Sequence, residues 1–239
     1  MVRMAEKPCR YRGGSYGVRF IPRHVRPSIV QTDTPSNMEH LLQQARAGTP
    51  ECLGKLLQYY ANYLRLLAST HIDEKLRARC SPSDIVQETY CEAHRDFEQF
   101  RGETEAEFLA WLRTILAHNL AREVERHILA AKRDVRREIP LDRIGAALDR
   151  SAMRLGSVLA DTGPSPSSNI HRQDRAVILA NYLAQLSADY QEVLVLRHCE
   201  GLSFGEIAQR MKRTSGAARM LWLRAISRLR DQIDAGETS

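Results

Sequence analysis

The sequence predicts an all-α protein, with two small helical domains joined by a flexible linker. Three observations predict it. Apolar residues recur at three- and four-residue steps through most of residues 38–137 and 172–235, the spacing of one face of a helix. Helix formers dominate, and aromatics are only 6% of the 239 residues, which disfavours sheets. Between the two periodic segments lies Gly163-Pro164-Ser165-Pro166-Ser167-Ser168, a linker by composition.

Residues 1–37 have four prolines, a Gly-Gly pair and no helical period, and read as a disordered basic arm. The arm either touches nucleic acid or precedes the true start, for which Met38 is a credible residue. From Asn37 the pattern turns helical with Leu41, Leu42 and Ala45. Gly48-Thr49-Pro50 breaks it, and Pro50 starts a second helix carrying Cys52, Leu53, Leu56, Leu57, Tyr60, Leu64 and Leu67. Ser81-Pro82-Ser83-Asp84 opens a third: Ser81 is the N-cap, Pro82 the first helical residue and Asp84 a first-turn acid. This helix runs through Ile85, Val86, Thr89, Tyr90, Ala93 and Phe97 to the turn Phe100-Arg101-Gly102-Glu103. Thr104 caps a fourth helix with Phe108, Leu109, Leu112, Ile115, Leu116 and Leu120, whose tail from Arg122 to Arg137 is basic. Residues 138–171 are the linker, with a loose helix over Leu141–Leu159. In the second domain, 172–235, Ala176, Leu179, Leu183 and Leu186 mark one helix. Val193, Leu194 and Leu196 mark the next, which is capped by Ser187 or Asp189 and ended by Gly201. Ser203 caps a short helix with Ile207, Ala208 and Met211, and Lys212-Arg213-Thr214 forms a turn. The last helix, from about Ser215 to Ile233, places Ala218, Trp222, Ala225 and Leu229 on one face.

The net charge of +6 is unevenly spread. Residues 38–107 carry eight Lys/Arg against twelve acids, and 108–137 carry seven against three. An acidic block followed by a basic one points to two partners, one of them an anionic polymer, or else to two solvated helix faces. No run reaches the ~18 apolar residues of a membrane span, and the N-terminus lacks the apolar core of a secretory signal. The five cysteines (Cys9, Cys52, Cys80, Cys91, Cys199) form no CxxC pair, which argues against a disulfide framework or a zinc site. The expected compartment is the reducing cytoplasm. No phosphate loop, HExxH or nucleophile elbow occurs, so neither an enzyme nor a cofactor or metal site is expected.

Residues 203–224 read as a DNA-binding helix-turn-helix: short helix, tight turn, longer helix. Arg213, Arg219, Arg224 and Arg228 line the face opposite the apolar one, with Thr214 and Ser215 at the dipole-positive end. Gly216 and Ala217 are small enough for close approach of a DNA backbone, and arginine can grip guanine bidentately.

At this point four segments resemble the RNA polymerase sigma factors of the sigma-70 family, extracytoplasmic-function (ECF) group. They are Asp84-Ile85-Val86-Gln87-Glu88-Thr89, Phe97-Glu98-Gln99-Phe100-Arg101-Gly102, the helix Phe108 to Asn119, and Gly201 to Ala208 with Arg219 to Ala225. The resemblance implies that 38–137 is sigma domain 2 and 172–235 is sigma domain 4. It implies a non-enzymatic subunit that binds core RNA polymerase through the clamp coiled coil and the flap, with an anti-sigma factor as a further candidate partner. Asp84, Ile85, Val86, Gln87, Glu88 and Cys91 would bind polymerase, and Asp84, Gln87, Glu88 and Cys91 share a helix face by spacing. Phe100, Arg101, Arg113, Asn119, Arg122 and Arg126 would meet the −10 element and its melted strand, with the loop Phe97–Glu103 holding a flipped base. Arg213, Thr214, Ser215, Gly216, Arg219, Met220, Leu223 and Arg224 would bind the −35 element as double-stranded DNA. Leu221 and Leu223 depart from the polar or basic residues of many relatives. Trp111 fits either a melting wedge or the core. The alternative function is a regulator that uses the helix-turn-helix alone, with 38–137 as a sensing or dimerisation domain.

Overall fold

Local capping chemistry sets most helix boundaries in the computed structural model, which describes residues 35–72, 80–131, 144–151, 154 and 170–237. The basic arm up to residue 34, the tail beyond Ala131 and the Pro/Ser linker lie outside the described residues. Among the described residues there are helices and turns and no strand.

Helix α1 (Pro35–Arg46) is followed by Gly48, whose φ of +92° suits the residue without a Cβ. Pro50 then starts α2 (Pro50–Tyr59) after the N-cap Thr49. The single helix expected through Leu67 is two: Tyr60 ends α2 and caps α3 (Ala61–His71). Its ring is fully buried, and its hydroxyl donates to Glu105 Oε1 at 2.6 Å. The three–four spacing of apolar residues continues across this break, so periodicity does not reveal it.

Helix α4 (Pro82–Asp96) begins with a complete capping box. The Asp84 N–H donates to Ser81 Oγ at 3.1 Å and the Ser81 N–H to Asp84 Oδ2 at 3.2 Å. A 3₁₀ turn (Phe97–Gln99) leads through the loop to α5 (Glu105–Ala131). Thr104 caps α5, and Glu107 accepts from the N–H groups of Glu103 and Thr104 at 2.9 and 3.0 Å. Those backbone bonds, with the Thr104 hydroxyl, hold the Glu107 carboxyl below the usual carboxylate range. Helices α1 to α5 enclose a core in which Leu56, Tyr63, Leu64, Leu67, Phe108, Leu112 and Leu116 are almost wholly buried.

Residues 144–151 form a helix, α6, inside the expected linker. It is held in place: Leu148 is fully buried, Asp149 pairs with Arg113 at 3.3 Å, and Arg154 donates to the Cys199 carbonyl at 3.0 Å.

The second bundle comprises α7 (Ile170–Leu183), α8 (Ala188–Leu194) extended by a π-helical turn (Val195–Cys199), α9 (Phe204–Arg210) and α10 (Ser215–Glu237). Gly201, at φ +74°, closes the π turn, letting the Leu202 N–H reach the Leu196 carbonyl at 3.0 Å. Ser203 caps α9 in a second capping box, with Glu206 as its partner. Helix α7 packs on α3, where Asn62 Nδ2 donates to Asn181 Oδ1 at 2.9 Å.

Candidate nucleic-acid and protein interfaces

On α4 the 3.6-residue repeat divides the first candidate group. Asp84, Gln87, Glu88 and Cys91 are exposed on one strip of the helix. Ile85 and Val86 are 5% and 2% exposed and face the core. As placed, these two cannot touch a partner surface; they hold the strip in position. Cys91 is exposed, whereas Cys52, Cys80 and Cys199 are buried. Burial, with nearby acids, keeps the Cys80 and Cys199 thiols protonated, pushing them up to about 11 and about 12.

The loop and α5 require more correction. Phe100 is buried, its ring centre 5.0 Å from Trp111, 5.6 Å from Phe108 and 6.1 Å from Phe97. This cluster is the floor of the loop, so Phe100 as placed offers no surface to a base. Trp111 is half-buried in the same cluster, which favours its packing role. Asn119 is buried too. Its Nδ2 donates to Thr89 Oγ1 at 3.3 Å, and its Oδ1 accepts from Arg122 at 3.2 Å. Arg122 also pairs with the largely buried Glu92 at 2.8 Å, while Thr89 donates to the Ile85 carbonyl at 2.8 Å. This polar chain clamps α5 to α4. Thr89 and Glu92 fall in register with buried Ile85 on the inner face of α4, the signal that marks them as partners for a neighbouring helix. Arg113 is likewise engaged: its side chain is 11% exposed, bonded to the Tyr63 hydroxyl at 3.3 Å and paired with Asp149. Of the candidates for −10 contact, Arg101, Arg122 and Arg126 are exposed. Arg101 anchors the loop by donating to the Glu98 carbonyl at 2.8 Å.

Gly102 is confined. A Cβ there would lie 2.4 Å and 2.7 Å from the Phe100 ring and 2.9 Å from Glu107 Cβ. Because Phe100 is packed on three aromatic neighbours, it cannot swing aside cheaply. Gly102→Ala should therefore destabilise the protein by about 1–3 kcal/mol, read as a lower urea midpoint at unchanged slope. An unchanged midpoint would mean that the loop has slack.

In the helix-turn-helix, α9 ends with the Met211 N–H on the Ile207 carbonyl (2.9 Å) and the Arg213 N–H on the Ala208 carbonyl (2.8 Å). Lys212 between them takes φ +53°, the left-handed position usual for glycine. Thr214 caps α10: its Oγ1 accepts from the Ala217 N–H at 3.2 Å. Ala218, Ala225 and Leu229 are buried. Trp222 is half-buried; its indole N–H donates to His198 Nε2 at 3.0 Å and its ring meets Phe204 edge-on. Thr214, Ser215, Gly216, Arg219, Met220, Leu223 and Arg224 are all exposed. The arginines do not form one line. At about 100° per residue, Arg219 and Arg224 fall on opposite sides of the exposed face, Arg219 at its margin. Arg219 leans over the Phe204 ring at 5.4 Å, Arg197 approaches the same ring at 4.7 Å, and Arg213 pairs with Asp189 at 2.6 Å. Leu221, marked as a departure, packs against the core, whereas Leu223 is exposed.

The family model described as Sigma-70, region 4 matches residues 176–229, which contain the helix-turn-helix. The ECF RNA polymerase sigma-E factor of Haemophilus influenzae is 26% identical over 193 residues, 81% of this chain and 93% of that protein. The ECF RNA polymerase sigma factor SigD of Mycobacterium tuberculosis is 28% identical over 218 residues, 91% of this chain and 93% of that one. The solved structure of an RsbN–BldN complex aligns with a TM-score of 0.28 at 22% identity, covering 80% of this chain and 98% of the other. With a Sigma-70, region 4 match over residues 176–229 and relatives aligned along most of its length at 26–28% identity, the chain is similar to the extracytoplasmic-function RNA polymerase sigma factors.

Proposed function

We propose that this chain is a sigma factor that binds core RNA polymerase through the exposed strip Asp84, Gln87, Glu88 and Cys91, and reads a −35 element with α10. Residues 38–137 then act as sigma domain 2 and 172–235 as sigma domain 4. Arg101, Arg122 and Arg126 are the exposed cations that would meet the −10 strand, Arg122 and Arg126 while paired with Glu92 and Glu123. The acids on α4 suit a basic partner helix, and the cations suit phosphates. No described helix is long and apolar enough to cross a membrane.

The observation that carries the reading is Gly216. It sits in the first turn of α10, where glycine costs up to about 1 kcal/mol relative to alanine. Nothing in the described structure lies within 4 Å of the Cβ it lacks, so internal packing does not explain it. It borders the capped N-terminus formed by Thr214, where free amides point outward at a natural phosphate seat. Close approach of a DNA backbone accounts for a small residue there. Gly216→Ala should leave thermal stability unchanged or slightly raised and weaken binding to a −35 element; equal binding would remove this support.

The reading as a whole is tested by reconstitution with core polymerase and run-off transcription from a promoter library. Promoter-specific transcripts that require the protein support it. Tight promoter binding without polymerase, and no stimulated transcription, would instead indicate a stand-alone regulator.

A further inference from the structure

Resting on the reading of α10 as the helix that enters a major groove, we propose that Met220 and Leu223 read the 5-methyl groups of thymines in the −35 element. Met220 and Leu223 are 50% and 47% exposed, and Ile178 on α7 is the other large apolar side chain exposed among the described residues. A single exposed apolar residue needs no explanation. These two, however, are three positions apart on one helix, so their side chains are neighbours. At about 100° per residue, the direction opposite Ala218, Trp222, Ala225 and Leu229 passes close to Gly216, Met220 and Ser227, with Leu223 about 50° to one side and Arg224 about 50° to the other. The apolar pair therefore lies on the face turned away from the bundle, Met220 at its centre and Leu223 beside it.

What surrounds the pair selects the occupant. Around the helix, Leu223 and Met220 lie between Arg219 on one side and Arg224 on the other, and α10 carries no acid before Asp231. An apolar strip flanked by two cations complements a groove with apolar groups on its floor and phosphates on both walls. Thymine is the base that offers such a group, its C5-methyl, in the major groove. Hydrogen-bonding readers of base edges are scarce on this face. From Ser215 to Asp231 the helix has no Asn or Gln, so the bidentate grip on adenine is absent. Arg219 is drawn toward Phe204 at the margin. The open space at Gly216 lets the helix settle deeply enough for short reach at Met220 and Leu223.

The experiment uses the reconstituted holoenzyme. A promoter library randomised across the −35 element identifies the preferred sequence, and each thymine in it is then replaced by deoxyuridine, which removes only the methyl. At one or more positions the affinity should fall about fourfold, the value of one buried methyl-sized group. Leu223→Ala or Met220→Ala holoenzyme should bind more weakly and no longer distinguish thymine from uracil at that position. Both side chains are half exposed, and circular dichroism melting checks that the variants fold. A wild-type holoenzyme that selects a −35 sequence yet is indifferent to every uracil overturns the inference and leaves the role of α10 standing. Full discrimination retained by both variants overturns it as well. Unchanged DNA affinity in both variants also overturns it and makes the patch a protein-docking surface. Absence of any −35 selection overturns the reading of α10 itself, and this inference with it.

Discussion

Phe108→Ala should destabilise the first bundle by about 3–5 kcal/mol, the cost of emptying an aromatic site in a packed core. Phe108 is 1% exposed, and its ring is shared by Tyr60, Phe97, Phe100 and Trp111 at 5.6–6.2 Å. One deletion therefore removes the common partner of four aromatic rings contributed by the break between α2 and α3, the loop and α5. Urea denaturation measures it, and a loss below about 1 kcal/mol would show that the ring is not the hub of this cluster. Trp111→Ala is the informative companion, since Trp111 is half-buried in the same cluster. A packing role predicts a smaller stability loss, with promoter opening falling only in step with it. A melting role predicts a large fall in opening at unchanged stability. The geometry favours the first outcome.

Glu88→Arg should weaken the affinity for core polymerase by about 2–5 kcal/mol if the charge is desolvated in the complex, and by less at a rim. Its own fold should change by no more than about 0.5 kcal/mol, because Glu88 is exposed and outside the α4 cap. That separation makes it a better probe than Asp84. The Asp84 carboxylate accepts from the Ser81 N–H, so Asp84→Ala breaks the capping box and should lower stability by about 1 kcal/mol. A titration of core polymerase that finds equal affinity for Glu88→Arg and wild type, with normal circular dichroism, rejects the assignment of this face.

The helices and their caps were largely legible because their causes are local. Ser81, Thr104, Ser203 and Thr214 act within three residues of themselves, and Gly48 and Gly201 take up left-handed backbone where helices end. The helix-turn-helix belongs to the same class, and so does the division of α4 into an exposed strip and a buried one. The break at Tyr60 was not legible, because the apolar spacing runs through it and the tyrosine is anchored by Glu105 from 45 residues away.

Site residues show the boundary most clearly. By itself the sequence determined which segments are helical, where they are capped and which residue types each face carries, since these follow from neighbours at most a few positions apart. Only the tertiary structure decided which of those polar and aromatic residues are already engaged. Asn119 and Arg122 close on Thr89 and Glu92, Arg113 on Tyr63 and Asp149, and Phe100 on Phe108 and Trp111. Each of these partnerships joins separate elements, and a buried polar group must find a hydrogen-bond partner wherever the packing brings one. A residue type suited to nucleic acid is equally suited to clamping two helices, and the choice between them is made by the neighbour across the interface.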